Sequence, residues 1–133
     1  MRVLEIQFLF LELLQGIHLN DYIFKLESLL VFMGNFLFRV HESYRWVVSI
    51  CDKEVYGRKL VEGERVLDLT GDFFKGEERS EEEIRKEIGD CVLEDATFNL
   101  VGENSVRVAL DMGIIKEEGV MKIEGVPFAL SLL

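Results

Sequence analysis

Between Ala96 and Pro127 the sequence sets out an apolar run, a glycine, a helix-forming block and a tight turn that closes on the only proline of the chain. Ala96-Thr97-Phe98-Asn99-Leu100-Val101 is rich in β-branched and aromatic residues and reads as extended, stopping at Gly102-Glu103. Asn104 stands where it would cap a helix that turns Val106, Ala109 and Leu110 inward, with Gly113 as its C-terminal brake. Val120-Met121-Lys122-Ile123 and Val126 to Leu132 read as two short strands about a turn at Glu124-Gly125.

Upstream, Phe36, Phe38 and Val40 alternate with Leu37, Arg39 and His41, the period-two pattern of a strand with one buried face. Trp46 to Cys51 is a second strand, near enough to pair with the first as a hairpin. Asp52 is expected to cap a short helical turn through Tyr56, and Gly57 and Gly63 to break a polar link before a third strand at Arg65 to Thr70. Ser80-Glu81-Glu82-Glu83 has the form of a capping box, the hydroxyl accepting from the third helical amide while Glu83 reaches back. Three carboxylates there also oppose the positive end of the helix dipole. Ile84 and Ile88 supply the buried stripe, and Gly89 is the expected stop. Strands and helices are mixed without strand-helix alternation, so the fold class is α+β: a small single domain, a short mixed or antiparallel sheet and two to three short helices.

At 133 residues and 49% apolar composition, the chain can bury a core without disulfide or metal. Cys51 and Cys91 form no CxxC or Cys/His cluster and read as small buried hydrophobes, with a disulfide between them as the alternative should the source be a hyperthermophile. Abundant Glu, Lys and Arg, with no Gln after Gln15, give a thermophile-like composition. The net charge of −10 argues against indiscriminate nucleic-acid binding, which rests on Lys and Arg displacing counterions from phosphates. Charge is unevenly spread, however. Residues 33–76 hold seven basic and seven acidic side chains, whereas residues 77–133 hold six basic and fourteen acidic, so any phosphate-facing surface belongs to the first half.

Residues 1–32 are denser in large aliphatic and aromatic side chains than anything that follows. The longest uncharged run, Ser28 to Phe38, falls short of the roughly 18 residues a membrane span needs, so no span is expected. Glu5 and Glu12 interrupt the apolar region of any signal peptide. The segment reads as an apolar N-terminal extension joined to a domain over residues 33–133 that starts at Met33; a buried helix or a membrane-surface helix are the other readings.

No side chain announces a reaction. His41 sits on the polar face of the first strand beside Arg39 and Glu42, the setting of an exposed strand histidine. Glu77-Glu78 and Glu81-Glu82-Glu83 are consecutive and fan out instead of converging on a cation, so no metal site is expected. The turn from Leu100 to Asn104 leads into a helix N-terminus, but it lacks GxGxxG and GxxxxGK, and Glu103 puts negative charge where a phosphate would sit. Ser105 lacks the G-x-S-x-G elbow of a nucleophile. Tyr44, Arg45 and Trp46 at the hairpin turn combine aromatic and basic side chains in the manner of single-stranded RNA binders, and Arg58 and Lys59 extend that candidate surface.

From Phe36 onward the chain resembles the archaeal domain-of-unknown-function 424 family. The resemblance is carried by the Trp46-to-Asp52 strand with Gly57 after it, the Ser80 helix start, the block Asn99-Leu100-Val101-Gly102-Glu103 and the turn Ile123-Glu124-Gly125-Val126-Pro127. Asn99, Gly102, Glu103, Gly125 and Pro127 are its motif positions here. Where that family commonly continues His-Ala-Gln after the proline, this chain has Phe128-Ala129-Leu130, which removes a polar side chain from the turn. The resemblance implies a small cytoplasmic protein with RNA or ribosome-linked partners; separately, no cofactor and no DNA target are expected. The expectation is a binding module more than an enzyme, with a protein-interaction or structural subunit facing a basic partner as the alternative and, last, a small-molecule enzyme using His41 and the turn from Asn99 to Asn104.

Overall fold

The computed structural model describes residues 34–131. The apolar segment 1–32 and the domain start at Met33 lie outside them. Eight strands, two helices and one 3-10 turn follow in order: β1 (Phe36–His41), β2 (Val47–Asp52), β3 (Lys59–Glu62), β4 (Arg65–Asp68), β5 (Glu77–Arg79), α1 (Glu81–Leu93), β6 (Thr97–Val101), α2 (Glu103–Asp111), the 3-10 turn (Glu117–Gly119), β7 (Met121–Ile123) and β8 (Val126–Ser131). Six strands form one sheet in the order β5-β1-β2-β6-β8-β7, and β3 and β4 form a separate two-stranded ribbon. All sheet neighbours are antiparallel except β2 and β6, which are parallel with Ser49 opposite Asn99. The mixed sheet and two helices are those of an α+β domain.

Alternation decides which residues meet. Phe36, Phe38, Val48, Ile50, Phe98, Leu100 and Ala129 leave the sheet on one face and pack with Ile84, Ile88 and Cys91 of α1 and Val106, Val108 and Ala109 of α2. Leu37, Cys51 and Val101 leave on the other and pack under the β3–β4 ribbon with Val55, Leu60, Leu69 and Phe74. The sheet is therefore the middle of three layers, but the ribbon covers only the end of its second face. Because Cys51 and Cys91 sit in clusters on opposite sides of the sheet, both thiols are free. Burial pushes them up, Cys51 to about 12 with Asp52 adding to the shift, and Cys91 to about 11 with Glu87, Asp90 and Glu94 adding to it. Neither is a reactive thiolate near neutral pH.

Several elements differ from expectation. The capping box at Ser80 forms, with Glu83 N donating to Ser80 Oγ at 3.2 Å and Ser80 N to Glu83 Oε1 at 3.0 Å. Gly89, however, does not end the helix. The buried stripe continues through Cys91, and the chain turns only after Leu93, where Asp95 takes a positive φ of 53°. A methyl group at Gly89 would meet open space. Gly89→Ala is accordingly expected to raise stability by about 0.5–1 kcal/mol through reduced backbone entropy of the unfolded chain, read as a higher urea midpoint at unchanged slope. The polar link at Gly57 to Gly63 contains β3, and the third strand is the second half of a ribbon outside the main sheet. At the other end, Glu124-Gly125 forms the β7–β8 turn with positive φ at both residues, 49° and 78°, the twist that a two-residue hairpin favours.

Candidate functional site

The five binding residues read from the sequence fall into two groups. Tyr44 is fully exposed in the β1–β2 turn with exposed Arg45 beside it, and Ser43 Oγ donates to Arg45 O at 2.6 Å across that turn. Trp46 turns inward and packs, half-buried, against the helix-side core. Arg58 and Lys59 lie past the other end of β2, a six-residue strand and so roughly 20 Å away. No single surface takes in all five.

What the structure adds is a polar patch on the uncovered part of the second sheet face. Arg39 and His41 of β1 and Ser49 of β2 share that face, and the segment from Gly71 to Gly76 is strapped across it. Arg39 Nη1 donates to Asp72 O at 2.7 Å, Ser49 Oγ donates to Phe73 O at 2.9 Å, and His41 Nε2 lies 2.9 Å from the same carbonyl. Tyr56 OH donates to Gly71 O at 3.2 Å from the ribbon side. The Phe73 ring lies flat on the His41 imidazole, with centroids 4.4 Å apart and planes inclined by 7°, while Phe74 meets it edge-on at 4.9 Å and anchors in the core. Phe73 remains 41% exposed.

This geometry fixes the chemistry of the His–Ser pair. Ser49 Oγ and His41 Nε2 are 3.5 Å apart, near enough to suggest an activated nucleophile. Yet a carbonyl oxygen can only accept, so its contact with Nε2 requires that nitrogen to carry a proton. With Nε2 protonated and Ser49 donating to the same oxygen, His41 has no lone pair facing the hydroxyl. The pair holds the strap and does not activate Ser49. One strand further, Asn99 is half-buried on the same face, opposite Ser49 and Leu130, and its side-chain amide has no partner among the described residues. Sequence pattern could not reveal the strap, because its acceptors are main-chain carbonyls 24 to 33 positions away.

The motif block at Gly102 is built around Asp52. The carboxylate of this buried residue accepts from Asn104 N at 2.9 Å, Ser105 N at 2.8 Å and Ser105 Oγ at 2.6 Å. Asp52 therefore caps α2 from the end of β2 instead of capping its own turn, and Asn104 lies inside the helix whose cap position is Gly102. Gly102 N donates to Pro127 O at 2.8 Å, which ties the two motif segments together. Two of the free amides that could bind an anion are thus filled from within, and a phosphate cradle is excluded there.

Around this junction run three adjoining depressions of about 440, 370 and 310 Å3. The last is lined by Glu54, Arg58, Glu103, Gly125 and Pro127, so Arg58 joins three of the motif residues there, apart from Tyr44. At the opposite end Arg107 and Arg85 bind Glu81 and hold its carboxyl below the usual carboxylate range. Among the described residues no cluster of three or more His, Cys, Asp or Glu is placed to hold a metal ion, and no helix is long and apolar enough to cross a membrane.

The family described as protein of unknown function, DUF424, matches residues 40–132. A crystal structure of an uncharacterized conserved protein from Methanopyrus kandleri is similar in fold, with a TM-score of 0.65 and 25% identity over 71% of this chain and 88% of that one. No curated protein matches the sequence.

Proposed function

We propose, from the premise that the chain belongs to the DUF424 family of proteins of unknown function, that it is a small binding module taking single-stranded RNA on the open part of its sheet. The observation that carries this reading is Phe73, held flat over His41 with 41% of its surface left to solvent. A rigid exposed ring is a stacking platform for a base, worth about 1–3 kcal/mol per base and tolerant of sequence. Tyr44 offers a second exposed ring in the β1–β2 turn, Arg45 lies beside it there, and Arg39 and Lys75 line one hollow next to the strap, cations available to phosphates. The acidic helix α1 lies against the other face of the sheet, so its charge does not meet a ligand on this one. On this reading the protein works in the cytoplasm with RNA of the translation apparatus.

Anisotropy with a fluorescein-labelled single-stranded decanucleotide at low salt is the test. Phe73→Ala is expected to weaken binding about ten-fold, and Arg45→Ala to weaken it less while reducing the salt slope by about one. Absence of binding at low salt, or an unaltered affinity in Phe73→Ala, overturns the reading. A second reading rests on α1, where Leu93 is 84% exposed beside a stripe of Glu87, Asp90 and Glu94 that would suit a basic protein partner. It predicts co-purification with a protein that survives nuclease treatment.

A further inference from the structure

We propose that the stretch of β1 edge left open beyond β5 is a docking site for an extended acidic segment of a partner protein, which adds to the sheet as a short strand. Strand β5 pairs only with Phe36, Leu37 and Phe38, so the outer side of β1 from Arg39 to His41 has no neighbouring strand among the described residues. The ladder shows which main-chain groups are left there. Lys53 N donates to Asn35 O at 2.9 Å, so Asn35 turns its polar groups toward β2, and by alternation Leu37, Arg39 and His41 do the same. Val40 turns its N–H and C=O the other way, to the open edge, and neither has a partner among the described residues. With Phe38 opposite Glu77, a continued β5 would set Lys75 opposite Val40, but the chain leaves the edge there and crosses the sheet face as the strap. At the far edge of the sheet, by contrast, Lys122 O of β7 accepts from Arg65 Nη2 of the ribbon at 2.9 Å.

The side chains around that edge set the charge of the ligand. Val40 forms part of the wall of a hollow of about 500 Å3 whose charged lining is Arg39, Lys75, Arg79 and Glu77. The carboxylate of Glu77 is bound by Arg79 Nη2 at 2.8 Å. Arg39 reaches only the main-chain carbonyl of Asp72, and the Lys75 ammonium has no partner among the described residues. Two positive charges therefore converge on the open edge without a carboxylate, in a chain whose net charge is −10. A strand laid along the edge gives Val40 both an acceptor and a donor, and its alternate side chains fall on the two sides of the sheet. Those on the strap side meet Arg39, with Lys75 at the rim, so Glu or Asp is matched there and Lys or Arg is repelled. A phosphate group brings acceptors alone and leaves the Val40 carbonyl without a donor.

The test uses the full chain labelled with 15N and titrated at low salt with a decapeptide of alternating Glu and Thr, the Thr favouring extended backbone. The backbone amide of Val40 is expected to shift and to gain protection from hydrogen exchange, while that of Lys122 at the far edge stays unchanged. The same peptide with its backbone N-methylated keeps the charge but loses the donors, and is expected to bind about ten-fold more weakly. Lys75→Glu is expected to weaken binding about ten-fold, and Lys86→Glu on α1 to leave it unchanged. An alternating Lys and Thr decapeptide is expected not to bind. Several outcomes overturn the proposal: no binding of the acidic peptide, equal binding of its N-methylated form, equal loss in the two lysine variants, or the same protection of Val40 by single-stranded RNA. Phe73 lies outside the lining of the hollow, so Phe73→Ala, expected to lose RNA affinity and keep the peptide, separates failure here from failure of the RNA reading.

Discussion

Gly102→Ala is expected to destabilise the domain by about 3–5 kcal/mol, the sum of two independent penalties. The first is conformational. Gly102 has φ 109° and ψ 155°, a region that only glycine occupies without strain of about 1–3 kcal/mol. The second is steric. A Cβ at this position would lie 2.3 Å from Asp52 Cγ and 2.6 Å from Asp52 Cβ. An exposed side chain could swing away at little cost, but Asp52 is buried and pinned by three hydrogen bonds, so relief means moving the helix start or breaking the cap. In a domain of this size the loss corresponds to a fall in Tm of about 20 °C. Urea denaturation gives the direct measure: the midpoint drops and the slope stays. A change below 1 kcal/mol would show that Asp52 yields freely, and that the cap is not the rigid junction described.

How far the sequence anticipates this junction depends on whether a residue is governed by its neighbours in the chain or by those in space. The β1–β2 hairpin, β6 and the β7–β8 turn were legible because alternation and a Glu-Gly turn are local signals. The capping box of α1 was legible for the same reason. Strand β3 was not: in Lys59-Leu60-Val61-Glu62 only Leu60 is buried, and the pairing partner across Gly63 supplies the order. Strand β5 is three charged residues whose only credential is the free edge of β1. Gly89 misled because a glycine in a helix reads as a stop unless the buried stripe is followed past it. For the candidate site the same division holds. Tyr44 and Arg45 lie exposed in the turn, as local sequence indicates, whereas the Trp46 ring continues the inward face of β2 and is half-buried. The strap over His41 and the placing of Arg58 beside Glu103 and Pro127 are contacts between distant segments, with no periodicity to betray them. Asp52 is the plainest case. Asx residues cap the helix that follows them in sequence often enough to set the expectation, whereas here β2 and β6 lie side by side and the nearest open helix end in space belongs to α2.

Asp52→Ala is accordingly expected to cost about 3–4 kcal/mol, although no catalytic or binding role is assigned to the residue. Two helix amides and one hydroxyl lose a charged acceptor, each such bond being worth roughly 1.5–3 kcal/mol before relaxation, and α2 loses the anion at its positive end. Asp52→Asn keeps the shape but can satisfy only part of the set, since its NH2 group faces a backbone N–H; about 2 kcal/mol is expected. Amide hydrogen exchange localises the effect, with Asn104 and Ser105 losing protection before the α1 amides do. Combining the change with Gly102→Ala tests whether the two residues act as one unit. Removing the carboxylate relieves its contact with the new methyl, so the double variant is expected to be more stable than the sum of the singles predicts, by about 1 kcal/mol. The relief stays incomplete because the strain at φ 109° and the contact with the remaining Cβ persist. Strict additivity would mean that Gly102 is required for its backbone angle alone and that the approach of Asp52 plays no part in selecting it.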